Sequence, residues 1–315
     1  MSDSNEWTVG RLLTWTTDYL KQHGAASPRL DAEVLLAAAR GCQRIELYTA
    51  FDQIADEATR TMFRDSVRRR AAGEPVAYLV GHREFFSLSF QVTRDVLIPR
   101  PETEHLVVEC LDLLKRRPSS EELSQVADAD ASGSQPPDAS PPHDQAQVAD
   151  VGTGSGAIAV SIAKHAPACR VTAIDISPPA LDVARSNAQR HQVAERIEFL
   201  QSDLLAEIPP GRQFDVIASN PPYVSQPEWE QLPAEIKDFE PPLALVGGPT
   251  GSETIARLIP QAAEHLRSGG WLLMEISPMT EAAVRRHLMQ DGRFTLIQTV
   301  KDLAGLARVI KAQRQ

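Results

Sequence analysis

Cysteine is scarce: the 315-residue chain has three, Cys42, Cys110 and Cys169. They lie far apart, with neither a paired zinc spacing nor a disulfide framework. The eight histidines show no ligand spacing either, so no metal is expected. No apolar run approaches the roughly 18–20 residues that a membrane span needs. The opening Met1-Ser2-Asp3-Ser4-Asn5-Glu6 lacks the basic n-region and apolar core of a secretory signal. A cytoplasmic protein with no membrane partner is the expectation. Excess positive charge is missing too, since the formal net charge is −10. Six acids and no Lys or Arg fall in residues 118–147, so −6 of that total sits in one segment. Residues 1–85 balance eleven Lys/Arg against twelve Asp/Glu. Nucleic-acid surfaces carry clustered positive charge, and the composition argues against one here.

What is present supports packed cores: 42% of the residues are hydrophobic, and the length suggests about two domains. Val9, Leu12, Leu13 and Leu20 share one helical face over residues 8–23. Ser27-Pro28 reads as a helix start, with Ser at the N-cap and Pro at the first position, and Gly41 as the stop. A third helix is expected from Glu57 to Ala72, with Arg64, Arg68, Arg69 and Arg70 on a solvated face. These residues define an N-terminal helical domain over 1–82. From Glu84 the period becomes two, Phe86, Leu88, Phe90 and Val92 alternating with polar residues, as in a strand or hairpin. Pro101 then opens a helix carrying Leu106, Val107, Cys110, Leu111 and Leu114. Hairpin and connecting helix occupy 83–117. Residues 118–147, with five prolines, six serines and six acids, cannot bury enough apolar surface to offset ordering and read as a disordered linker.

Residues 148–315 alternate strand and helix. Strands are expected near 147–151, 170–175, 196–201, 213–219, 270–276, 293–299 and 306–312, with helices at Gly156–His165, Pro178–His191 and Ser252–Leu266 among those between them. Such alternation implies an α/β fold with a largely parallel sheet covered on both faces.

Asp150-Val151-Gly152-Thr153-Gly154-Ser155-Gly156 joins the first of these strands to a helix, and glycine there lets a ligand approach the backbone closely. By itself the turn also satisfies a dinucleotide fingerprint, with Asp175 placed to hold a ribose. Two further strand ends separate the candidates. One carries Asp203 and Leu204, placed for an adenine amino group and ring. The other carries Ser219-Asn220-Pro221-Pro222-Tyr223. Prolines donate no backbone hydrogen bond and have φ locked near −65°, and each pushes its predecessor into an extended conformation. The corner therefore offers a carboxamide, carbonyl acceptors and an aromatic face to a planar group bearing an NH2. The spread of Asp175, Asp203 and this corner resembles the S-adenosylmethionine site of Rossmann-like (class I) methyltransferases.

Asn220-Pro221-Pro222-Tyr223 resembles the motif of methyltransferases acting on planar nitrogens, both N6-adenine and protein-glutamine enzymes. Gly73–Gly81, Glu84–Phe90, Val96–Glu104, Asp150–Ala159, Phe239–Leu245 and Asp302–Arg308 narrow the resemblance to the HemK/PrmC family of peptide chain release factor N5-glutamine methyltransferases. It covers nearly the whole chain apart from 118–147. It implies a seven-stranded class I methyltransferase domain behind a small partner-recognising helical domain and a β-hairpin. S-adenosyl-L-methionine would be held by Gly152, Thr153, Gly154, Ser155, Gly156, Asp175, Asp203, Leu204 and Asn220. Asn220, Pro221, Pro222 and Tyr223 would bind substrate and perform catalysis. The implied partner is a class I release factor with a Gly-Gly-Gln segment, met by a monomer. Pro249-Thr250-Gly251-Ser252 and Ser277-Pro278-Met279-Thr280 depart from the family pattern. The alternatives are an N6-adenine or other nucleic-acid methyltransferase and a non-catalytic cofactor binder.

Overall fold

The computed structural model describes residues 6–116 and 145–315. The linker expected at 118–147 lies outside the described residues except at its end, where Ala146 already opens a strand. Two compact units separate: Met1–Arg83 with Val92–Arg94 and Leu232–Glu240, and the remainder of the chain.

The first unit is helical. Helices at Val9–Gln22, Pro28–Arg40 and Glu57–Ala71 match the sequence reading, and short ones at Arg44–Thr49 and Val76–Val80 add to it. Thr8 and Asp56 cap the first and fourth helices, each accepting an N–H three residues on. Leu13, Leu20, Leu35, Leu36, Leu47 and Phe63 pack the core. The arginine run needs one correction. Arg70 is not on a solvated face: it is 8% exposed and its Nε donates to Asp31 at 2.8 Å, with Glu235 at 3.2 Å from Nη1. Phe63, Val67 and Arg70 are spaced four and three apart, so they share the buried face. Arg69 forms a two-pronged contact with Glu74, both N···O distances 2.8 Å.

A hairpin of β1 (His82–Phe85) and β2 (Leu88–Gln91) follows, and the second unit starts within β1 at Glu84. Phe86, expected on the strand face, sits instead with Ser87 in the turn, at φ 49° and 59°. Two positive φ values are the signature of the hairpin turn whose twist matches its strands. The main sheet has seven strands: β3 (Ala146–Val151), β4 (Cys169–Asp175), β5 (Ile197–Gln201), β6 (Phe214–Ser219), β9 (Leu266–Glu275), β10 (Phe294–Lys301) and β11 (Ala307–Arg314). Their order is β10-β11-β9-β6-β3-β4-β5. Neighbours from β9 through β5 pair in parallel, whereas β11 runs antiparallel to both β9 and β10. Only a short link, 302–306, joins β10 to β11, and a short link permits only antiparallel pairing.

Side-chain alternation divides the core between the two sheet faces. Val148, Val216, Leu273 and Val309 meet one set of helices, including Glu104–Lys115 and Ala157–His165. Ala149, Ile217, Leu272 and Ile310 meet Glu253–His265 and Glu281–Asp291. The parallel strands thus end along one edge, with β3 and β6 adjacent where the order reverses. Ligands of open α/β sheets lie at such an edge.

Candidate active site

A cleft of about 290 Å³ opens beyond the carboxyl ends of β3 to β6. The turn after β3 forms its floor. Asp150, fully buried, accepts from the Thr153 hydroxyl at 2.6 Å and the Ala159 N–H at 3.0 Å through one oxygen. Gly152 and Thr153 N–H groups reach the Ile174 carbonyl on β4 at 2.8 and 2.9 Å. The Ser155 carbonyl accepts from Asn187 Nδ2 at 2.8 Å. Tied in this way, the turn holds Gly154 at φ +54° with no atom within 4 Å of where a Cβ would stand. That open space is what close approach of a ligand to the backbone requires.

Asp175 ends β4, and its two oxygens accept from Gly154 N–H at 2.8 Å and Ser177 N–H at 2.9 Å. Burial raises its carboxyl above the ordinary range, and those backbone bonds partly offset the rise. Each oxygen keeps acceptor capacity for a hydroxyl. Beyond β5, Leu204 stands in the left-handed region at φ +55°, a conformation costing a leucine about 1–3 kcal/mol. Flanking bonds hold it there: Leu205 N–H to Gln261 Oε1 at 2.8 Å and Glu207 N–H to the Ser202 hydroxyl at 3.0 Å. Asp203 has its Oδ2 2.5 Å from Arg257 Nη2.

The diproline corner follows β6. Asn220 Nδ2 donates to the Thr103 hydroxyl at 3.1 Å, and its Oδ1 has no hydrogen bond among the described residues. The Tyr223 hydroxyl donates to Glu275 Oε1 at 3.1 Å. Burial, then the Glu275 charge, pushes the Tyr223 phenol up. A two-stranded ladder of β7 (Val224–Ser225) and β8 (Val246–Gly248) anchors the corner. There the backbones nearly touch: a Cβ on residue 247 would lie 2.3 Å from the Pro222 carbonyl oxygen, and one on residue 251 would lie 2.4 Å from that of Tyr223. The departure at 249–252 thus keeps the one small residue this approach demands.

Of the residues expected to hold a cofactor, Gly152, Thr153, Gly154, Ser155, Asp175, Asp203, Leu204 and Asn220 all line the cleft. Gly156 does not; it packs toward Ala184 of the next helix, where a Cβ would come within 3.1 Å. Pro222 lines the cleft, whereas Pro221 and Tyr223, next to it in the corner, are not among the lining residues. Sequence reasoning missed Thr103, Arg257 and Glu275 as parts of the site. Thr103 lies inside the run Val96–Glu104, but nothing local marks its partner 117 residues away.

Two family models match the chain, the PrmC N-terminal domain over residues 11–81 and the methyltransferase small domain over 138–235. The release factor glutamine methyltransferase of Rhodopirellula baltica is 49% identical over 313 residues, covering 99% of this chain and 98% of that one. The chain belongs to the release factor glutamine methyltransferase family. Its Koribacter versatilis relative of the same name is 42% identical over 94% of this chain and 95% of that one. The fold also resembles the hMettl16 catalytic domain, solved with an RNA hairpin, at a TM-score of 0.53 and 15% identity over 79% of this chain and 82% of that one. Among the described residues no helix is long and apolar enough to cross a membrane.

Proposed function

We propose that this family member methylates the side-chain amide N5 of the glutamine in the Gly-Gly-Gln segment of class I peptide chain release factors, modulating translation termination. S-adenosyl-L-methionine bound in the cleft supplies the activated methyl group. The open space over Gly154, the ribose-facing Asp175 and the ring-facing Leu204 suit that ligand. Asp203, with one oxygen paired to Arg257, keeps the other for an amino group.

The observation that carries this reading is the orientation of Asn220. Thr103 holds its nitrogen, which leaves its oxygen as the acceptor beside the cofactor cleft. A carboxamide nitrogen is a poor nucleophile because its lone pair is shared with the carbonyl. Asn220 Oδ1 and the Pro221 carbonyl accept its two N–H groups and aim the nitrogen at the methyl. No hydrogen bond among the described residues occupies that carbonyl. Positioning of this kind supplies about 7–11 kcal/mol of barrier reduction. The new N–C bond would form as the methyl–sulfur bond breaks, the bonding pair staying on sulfur as a neutral thioether, and one N–H proton leaves to water. Pro222 closes the corner and Tyr223 backs it. The helical residues 1–82 recognise the folded partner, 83–117 connect, and 148–315 carry the chemistry. The protein acts as a monomer in the cytoplasm.

The test is incubation with labelled S-adenosylmethionine and purified release factors, wild type and Gln-to-Ala in the target segment, followed by peptide mapping. Label confined to the wild-type glutamine is expected; equal labelling of the Gln-to-Ala protein would overturn the assignment. Asn220→Ala should lower kcat at least about 100-fold with a much smaller change in cofactor affinity. Equal losses in both would move Asn220 from catalysis to cofactor binding.

A further inference from the structure

Arg257 reaches the cleft from the helix Glu253–His265, whose opposite face is buried against the sheet through Ile255, Leu258, Ile259 and Ala262. Its Nη2 lies 2.5 Å from Asp203 Oδ2, and both residues line the cleft. The two side chains are about half exposed, at 55% and 48%. An ion pair that open to water contributes little to folding, so its place in the cleft calls for another use. Four residues on, and hence on the same side of the helix, Gln261 Oε1 accepts from Leu205 N–H at 2.8 Å. The helix thus grips both neighbours of Leu204, whose φ of +55° turns the loop between them. Asp203 Oδ1 has no hydrogen bond among the described residues.

We propose that Arg257 is a positioning residue that holds Asp203 ready for the 6-amino group of the cofactor's adenine, so that selection at position 6 of the purine depends on the guanidinium as well as on the carboxylate. The inference rests on the placement of adenine between Asp203 and Leu204 given above. Without a partner, a half-exposed aspartate turns freely and is hydrated at both oxygens, and a ligand has to order it on binding. With Oδ2 held by Arg257, that rotation is arrested before the ligand arrives. Oδ1 then stands as the acceptor for an N–H at position 6, since a carboxylate only accepts. A purine with hydrogen at that position donates nothing and gains nothing from the arrangement.

Gln261 serves the same loop in a different way. It fixes the main chain after Leu204, and the contact of that side chain with the ring is the same whatever stands at position 6. Arg257 and Gln261 therefore separate by readout: one governs the choice between purines, the other the affinity for both.

The experiment is calorimetric titration of the full chain with S-adenosylhomocysteine and with its 6-deamino counterpart, which carries hydrogen in place of the amino group. Neither ligand needs a methyl acceptor. Wild type should prefer the amino compound by about 10- to 100-fold. Arg257→Ala should lower that ratio about three- to tenfold, the loss falling on the amino compound, and Arg257→Lys should recover part of it. Gln261→Met should weaken both ligands alike. In an Asp203→Ala background, Arg257→Ala should leave the ratio where Asp203→Ala has put it. A ratio unchanged by Arg257→Ala overturns the proposal. So does a raised ratio, which would make the guanidinium a competitor of the amino group for the carboxylate, and so does an undiminished effect of Arg257→Ala in the Asp203→Ala background. An Asp203→Ala protein that keeps the wild-type ratio refutes the adenine placement itself, so the two failures are distinguishable.

Discussion

Asp150 offers a stability measurement that needs no substrate. It is fully enclosed at the end of β3, one oxygen held by Thr153 and Ala159, the other without a partner among the described residues. Burial pushes its carboxyl up to about 7. From near 3.8 up to about 7 the native chain keeps a proton that the unfolded chain has released. The native state binds more protons across that window, so this group's contribution to stability declines as pH rises through it. The whole interval is worth roughly 4 kcal/mol, with a steepest slope of about 1.4 kcal/mol per pH unit. Asp150→Asn keeps the shape and an acceptor for Thr153 and Ala159 but cannot ionise. Urea unfolding of both proteins between pH 4.5 and 8 should show the variant gaining steadily on the wild type. Glu275, also raised by burial, is common to both proteins and cancels; the Asp175 charge adds to the rise of Asp150 and belongs to the effect being measured. A wild-type-to-variant gap independent of pH would refute the reasoning.

Two other perturbations probe the scaffold. Arg70→Ala strands Asp31, itself 8% exposed, and should cost about 3–5 kcal/mol. The paired change Arg70→Leu with Asp31→Leu should recover part of that loss, both read by urea unfolding, and a single variant as stable as wild type would contradict the burial of the pair. Gly247→Ala would place a methyl group 2.3 Å from the Pro222 carbonyl oxygen. It should reduce kcat at least about tenfold while calorimetry shows cofactor binding unchanged; full activity would mean the corner is not held by that contact.

Local signals were legible and distant pairings were not. All seven strands of the main sheet fall near their expected positions because apolar runs and turn residues mark them. The glycine turn and the diproline corner could be read directly, since backbone chemistry writes itself into short stretches. Arg70 was misplaced because a run of arginines hides which one continues the Phe63–Val67 face, although helical spacing held the clue. The Arg44–Thr49 helix went unseen despite its capping box of Gln43 and Glu46, being too short to show periodicity. Glu275 and Arg257 join the site only through contacts spanning 52 and 54 residues. No window of sequence contains both partners.

The close approach of residues 247 and 251 to the chain at Pro222 and Tyr223 means that the shape of the reacting loop is cast from behind, by main chain that never meets the substrate. Sequence is free to drift there wherever the absence of a side chain is respected, as Pro249-Thr250-Gly251-Ser252 illustrates. Variants with altered acceptor preference are accordingly to be sought in this backing segment as much as in the four residues it supports.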